Sequence, residues 1–276
     1  MRVGADPDFS LMPELFPARL RPHLRAFGRF VRLADGITDD AFLTTREKVS
    51  RLEALELAID GSGVPQWSVQ AHTIAEELRQ SLQQTGLPAE HVRGVLQAFR
   101  RDAAGQVSET WIDLMHYCRL AAAPIGRHML QLAGEDLQRC GPASDALCAA
   151  LRILKQLRDC KDPAVQYNRL CIPRAFLEDA MITPAHLRAP SAKGQARAVI
   201  DRVLDGVERL LAEAAPLPAL IHDNGLATHA AIVLCRARKL VRQFRQRDPL
   251  RERVGLARWQ RALCRWVAML RALPGR

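Results

Sequence analysis

RILKQLRDCKDPAVQYNRLCIP, running from Arg152 to Pro173, and FVRLADGITDD, running from Phe30 to Asp40, decide how this chain is read. Asp159 and Asp162 stand three residues apart in the first segment, which leaves them neighbours about 60° apart on a helix. Asp35 and Asp39 stand four apart in the second, one turn from each other and offset by about 40°. Each segment can therefore aim its carboxylates from one helix face. Opposed across a bundle, the two clusters would hold magnesium against a diphosphate. The later segment also carries Arg152, Lys155 and Pro163, where such a site would favour neutral or acidic residues.

Composition points the same way. The 276 residues are rich in Ala, Leu and Arg and poor in aromatics, a balance that favours helix over sheet. With 48% hydrophobic residues the chain can bury a substantial core. No apolar run approaches the roughly 18–20 residues that cross a bilayer. The start, MRVGADPDFSLMPELF, lacks a signal-like apolar stretch, so a cytoplasmic location is expected. The seven cysteines form no CxxC pair and read as reduced, mostly buried thiols. A net charge of +10 admits nucleic acid, anionic membrane or anionic small molecules as partners. No zinc-finger spacing, RNP motif or glycine-rich phosphate loop accompanies it, which argues against nucleic acid.

Helical patterns start near Pro22 and reach Asp35, then run from Thr44-Thr45 with Glu47 to Ile59. Asp60–Pro65 is a loop, and helices follow over about 69–84 and 89–104. Trp111 to Leu132 reads as one long helix kinked at Pro124. Ser144, after Gly141-Pro142, is the expected cap of the helix carrying the second cluster, which Pro163 ends or kinks near Asp162. A mostly loop stretch over 179–191 precedes helices over about 192–214, 225–247 and 256–271. The expectation is one all-α domain, residues 1–276, of eight to ten helices.

Magnesium keeps several waters and takes only one or two protein carboxylates, so a pair such as Asp35 and Asp39 suffices on one wall. Arg32, one turn earlier on the same side, suits a phosphate oxygen. The plainer reading is a solvated helix end with surface ion pairs, and a proline-stopped helix C-terminus for the second cluster.

Three ordered segments resemble the squalene/phytoene synthase family, and most closely its bacterial hopanoid branch, the hydroxysqualene synthases. RPHLRAFGRFVRLADGITDD resembles the first aspartate motif, usually close to RxHxxAFYRFARxADDIADD. WIDLMHYCRLAAAPIGRHMLQLAGE resembles the central helix, and SDALCAALRILKQLRDCKDPAVQYNRLCIP the second motif. The resemblance implies an isoprenoid-synthase helical bundle around a central apolar tunnel, with the aspartate motifs facing each other at its mouth. It implies Mg2+ as cofactor and conversion of presqualene diphosphate to hydroxysqualene, or squalene, by diphosphate ionisation and water capture. By position Asp35, Asp39 and Asp159 would be catalytic metal ligands, with Asp162 able to take over a role at the second cluster. Arg32 and Arg169 would touch the diphosphate, together with Arg152, Lys155 and Arg158. Tyr117 matches the tyrosine that polarises the reacting centre, and Arg127 matches a branch residue at the polar mouth. Neighbouring hopanoid-pathway enzymes are expected partners. The basic run from Arg236 to Arg253 is either a solvated helix face or a peripheral contact with the inner face of an anionic membrane.

The chain departs from the pattern at six positions. Gly28 replaces an aromatic residue, Gly36 an Asp, Arg152 a Gln, Lys155 an Asn, Pro163 an Asp and Cys171 a Tyr. Lys155 can pair with Asp159 across one turn and so compete with a dication. Two readings follow. One is an enzyme in which Arg152 and Lys155 replace part of the metal set as diphosphate clamps. The other is a degenerate member that binds prenyl diphosphates or acts as a scaffold.

Overall fold

The computed structural model describes residue 8, residues 12–161 and residues 170–271, and every regular element among them is helical. After two short 3-10 turns, α1 (Arg21–Asp39), α2 (Thr45–Ile59), α3 (Val69–Thr85) and α4 (Glu90–Ala103) form the first half. α5 (Trp111–Ala121), α6 (Ala123–Leu132), α7 (Leu137–Arg158), short α8 (Arg174–Asp179) and α9 (Gln195–Glu213) follow. Short α10 (Leu217–Leu220), α11 (Asn224–Gln246) and α12 (Arg258–Arg271) complete it. No helix among the described residues is long and apolar enough to cross a membrane.

Local sequence explains most boundaries. Thr44 caps α2 by accepting the Glu47 N–H at 3.3 Å, while Glu47 accepts the Thr44 N–H at 2.8 Å. Thr110 and Asp113 repeat that reciprocal cap at the start of α5. Two expectations fail. The segment 111–132 is not one kinked helix: Ala122, at φ −126°, separates α5 from α6, and Pro124 occupies the first turn of α6, where its missing N–H costs no ladder bond. Nor does Ser144 cap the second-motif helix. Asp136 does so, accepting the Gln138 N–H at 2.8 Å, and Pro142 lies inside the 22-residue helix. A proline there forfeits one ladder bond, to the Gln138 carbonyl, and the long buried helix tolerates it.

Two apolar clusters form the interior. Phe27 and Phe30 of α1, Leu55 of α2, Leu78 of α3 and Leu96 and Phe99 of α4 build one. The other gathers α5 to α12 around the inner faces of α7, α9 and α11. Leu87 packs on both, and α6 lies against α4 as well as α7. At the α6–α7 crossing Gly126 comes so near Ser144 and Cys148 that a Cβ would overlap them. The α5–α9 contact has the same basis: the Trp111 ring lies directly over Gly206 and stacks parallel to Phe176.

Two histidines are buried in this interior. His128 of α6 stacks on Phe27 of α1 with ring centroids 4.0 Å apart, and burial, then His91 and His23 nearby, pulls its pKa to about 3. Burial, then Arg236, pulls His229 to about 4. Both are neutral in the folded protein, whereas the unfolded chain protonates near the ordinary 6.5. Their contribution to stability is therefore complete above about pH 6.5 and is lost as pH falls toward the folded-state values. Each should remove about 1.4 kcal/mol per pH unit in that window. We expect the urea midpoint to fall between about pH 7 and pH 5, with a shallower fall in His128→Phe. Separately, Gly206→Ala should overpack the Trp111 contact and lower stability by about 1–3 kcal/mol, read as a lower Tm.

Candidate active site

Four helices bring candidate residues together. On α1, Asp35 faces inward, its side chain only 12% exposed, while Arg32 and Asp39 are exposed. From α7, Lys155 reaches across and places Nζ 3.5 Å from Asp35 Oδ2. The helix carrying the second cluster thus faces the first. The pairing of Lys155 with Asp159 drawn from spacing alone gives way to this contact between helices. A lysine side chain spans several ångströms, so a carboxylate on a facing helix competes with one on its own.

One turn earlier on α7, Arg152 enters a buried network. Tyr117 of α5 donates from its hydroxyl to Asp102 Oδ2 at 2.9 Å. Arg152 Nη2 donates to that same oxygen at 3.1 Å and to the Tyr117 oxygen. The guanidinium carbons of Arg101 and Arg152 lie 5.4 and 5.5 Å from the centre of the Tyr117 ring. Burial opposes the Arg152 charge, but Tyr117 and Asp102 outweigh it and hold its pKa well above the usual range. Asp35 also contributes to holding that charge, so the Lys155 pair and the Tyr117 network form one electrostatic unit.

Asp102 is the residue that motif reading misses. It lies on the last turn of α4 with a side chain 1% exposed. The signal was present: Val95, Ala98 and Phe99 precede it at helical spacing, all buried, so a carboxylate continues an apolar stripe. Such a group requires a partner.

The remaining candidates are placed as follows. Arg127 of α6 holds Asp145 of α7 bidentately, at 2.9 and 2.6 Å, and that bond raises its pKa. Arg158 is buried and bonded to Asp8 at 2.8 Å. Asp159 ends α7 and opens a 3-10 turn through Lys161, half-buried. Asp162, Pro163 and Arg169 lie outside the described residues. Among the described residues no three His, Cys, Asp or Glu side chains gather around a metal-sized space. Of the two α1 carboxylates, Asp35 is the one that Lys155 contacts. A cavity of about 10 Å³, room for one water, is lined by Leu114, Tyr117, Cys171 and Ile172, among others. Cys171 holds a left-handed φ of 52° beside it, a strained conformation for a residue with a Cβ.

One inward carboxylate, two α7 cations and a tyrosine thus meet in an all-helical bundle. The squalene/phytoene synthase pattern matches residues 3–260, and the chain belongs to that family. Its relatives place it with enzymes of the squalene/hydroxysqualene synthase type. It is 34% identical over 250 residues to hydroxysqualene synthase of Sinorhizobium fredii, covering 91% of this chain and 83% of that one. It is 33% identical to hydroxysqualene synthase of Rhodopseudomonas palustris, covering 92% and 85%. Among solved structures, squalene synthase HpnC of Alicyclobacillus acidocaldarius superposes with a TM-score of 0.71 at 28% identity, over 84% of this chain and 86% of that one. A dehydrosqualene synthase in complex with ligand superposes at 0.74 with 19% identity, over 94% and 89%, and shares the fold.

Asp102→Asn tests the network. It leaves the buried Arg152 guanidinium without its anion, a loss of about 3–5 kcal/mol. We expect a clearly lower Tm, partly restored when Arg152→Gln removes the stranded charge. An unchanged Tm for Asp102→Asn would show that the network holds nothing together.

Proposed function

We propose that this chain converts presqualene diphosphate to hydroxysqualene. The carbon–oxygen bond to the diphosphate breaks, and its electron pair leaves with the diphosphate. The cyclopropylcarbinyl cation rearranges, a water oxygen attacks it, and one proton is released. Substrate and water thus balance hydroxysqualene, diphosphate and a proton, with no reductant. The same cation quenched by hydride would give squalene, which requires a nicotinamide-type donor.

One observation carries the reading: Lys155 and Arg152 of α7 are set against Asp35 of α1 beside Tyr117. Fixed cations aimed where a leaving anion accumulates charge lower the barrier to ionisation. Lys155 would exchange Asp35 for a phosphate oxygen, with exposed Arg32 as a further contact. Tyr117, held by Asp102 and Arg152, would stand as a fixed, oriented group beside the reacting centre. Arg169 and Asp162 belong to this proposal by position only. Asp35 and Asp39, two carboxylates one turn apart, fit what magnesium takes from a protein, and they would hold it when Lys155 swings away. Bound there, magnesium would neutralise charge on the diphosphate. Handing a C30 product to neighbouring hopanoid-pathway enzymes would follow from its insolubility.

The Lys155–Asp35 pair also favours a second reading, because it ties up an inward carboxylate of the first cluster. On that reading the chain binds prenyl diphosphates without turning them over, as a scaffold.

Incubation with presqualene diphosphate, magnesium and 18O-labelled water separates the two. Hydroxysqualene carrying one 18O is expected by mass spectrometry, and Asp35→Asn should slow its formation by about 100-fold. Tight binding with no product above a heat-killed control would establish the scaffold reading. Calorimetric titration gives a readout independent of turnover: Lys155→Asn should bind Mg2+ more tightly than the unaltered protein. Equal affinities would overturn the proposed competition at Asp35.

A further inference from the structure

α12 packs against α11 by one face and presents an apolar stripe on the other. Trp259, Leu263 and Trp266 are 66%, 43% and 68% exposed. Their spacing puts them within about 60° of each other around the helix. Cys264 and Ala268 occupy the opposite side and are buried. Two tryptophans and a leucine in water along one face need an explanation beyond the scattered exposed apolar side chains of any surface.

Charge surrounds this stripe. Arg258 and Arg253 are exposed. Arg261 and Arg265 reach inward from α12 to Asp8 and Glu14, at 3.2 and 3.4 Å. Arg158 and Arg236 meet the same Asp8 from α7 and α11. The cations outnumber these two carboxylates, so the local field is positive. Part of the basic run from Arg236 to Arg253 is paired within the protein. Arg245 is held by Asp201, Asp205 and Glu208, and Arg247 by Glu252.

We propose that α12 docks the protein on an anionic phospholipid bilayer. The helix lies in the plane of the surface, with Trp259, Leu263 and Trp266 at the level of the headgroups and acyl-chain ends. Arg253 and Arg258 face lipid phosphates. Indole rings suit that depth because they are apolar with one polar N–H, and arginines at the flank supply selectivity for anionic lipid. A bilayer fits better than a second protein chain because α12, RWQRALCRWVAMLR, carries arginines and no carboxylate beside its tryptophans. Through the Arg261–Asp8–Arg158 chain of ion pairs, α12 is tied to the last turn of α7, immediately before Asp159. The docked face therefore adjoins the end of the helix that carries the second acidic cluster.

Co-sedimentation with phosphatidylglycerol vesicles, beside neutral phosphatidylcholine vesicles, tests this without reference to catalysis. The full chain should bind phosphatidylglycerol at least tenfold more tightly than phosphatidylcholine. Its tryptophan emission should shift to shorter wavelength, since Trp67 and Trp111 are already half-buried. Trp259→Gln with Trp266→Gln should reduce binding about tenfold or more and abolish the shift. Arg253→Gln with Arg258→Gln should remove the preference for anionic lipid. Circular dichroism confirms that each variant folds. Absence of binding to phosphatidylglycerol, equal binding to both vesicles, or undiminished binding by the double tryptophan variant overturns the proposal. So does a concentration-dependent dimer in sedimentation velocity that the tryptophan substitutions abolish.

Discussion

A guanidinium buried between helices must be given an anion, and in this molecule Asp102 supplies it to Arg152. That one requirement fixes three helices at once: α4 provides the carboxylate, α5 the tyrosine that shares it, and α7 the arginine. Because the three groups are hydrogen-bonded to one another, none can rotate without stranding the others. The Tyr117 hydroxyl is thereby committed as a donor to Asp102. Its oxygen in turn accepts from Arg152, so both the donor and the acceptor side of the hydroxyl are engaged.

The same α7 stripe carries Lys155, and its choice of Asp35 joins the two halves of the molecule. α1 belongs to the first apolar cluster and α7 to the second. An ion pair of this kind, with Lys155 39% exposed, adds little stability after solvent screening. Its importance is positional, because it holds an ammonium of α7 against α1; on the proposed function that is where a diphosphate would sit.

Features that depend on a few adjacent residues were legible in the sequence. The Thr44–Glu47 cap and the helix end near Gly86 follow from local sequence alone. Pro142 misled because a proline near the start of a helix resembles one that ends the preceding loop. Only the Asp136 cap, three-dimensionally satisfied, decides between them. Asp102 stayed hidden because its partners lie 15 and 50 residues away, on other helices. The Lys155–Asp35 pair is hidden for the same reason: spacing within one helix offers Asp159 but contains no information about what α1 brings opposite.

On the proposed function, a resident ammonium beside a recruited dication alters what the site would do. Magnesium arrives with its substrate and carries two charges, so an empty site rests at low electrostatic cost. An ammonium is present all the time and must be satisfied all the time, and Asp35 serves as its resting partner. Substrate then has to displace a carboxylate before it gains the lysine, so part of the binding energy goes into breaking that pair. A diphosphate can do this because it offers several oxygens and more negative charge than one carboxylate. A neutral prenyl chain cannot. On the proposed function, the Lys155–Asp35 contact would therefore discriminate by charge, opening to a diphosphate and staying closed to a neutral prenyl chain.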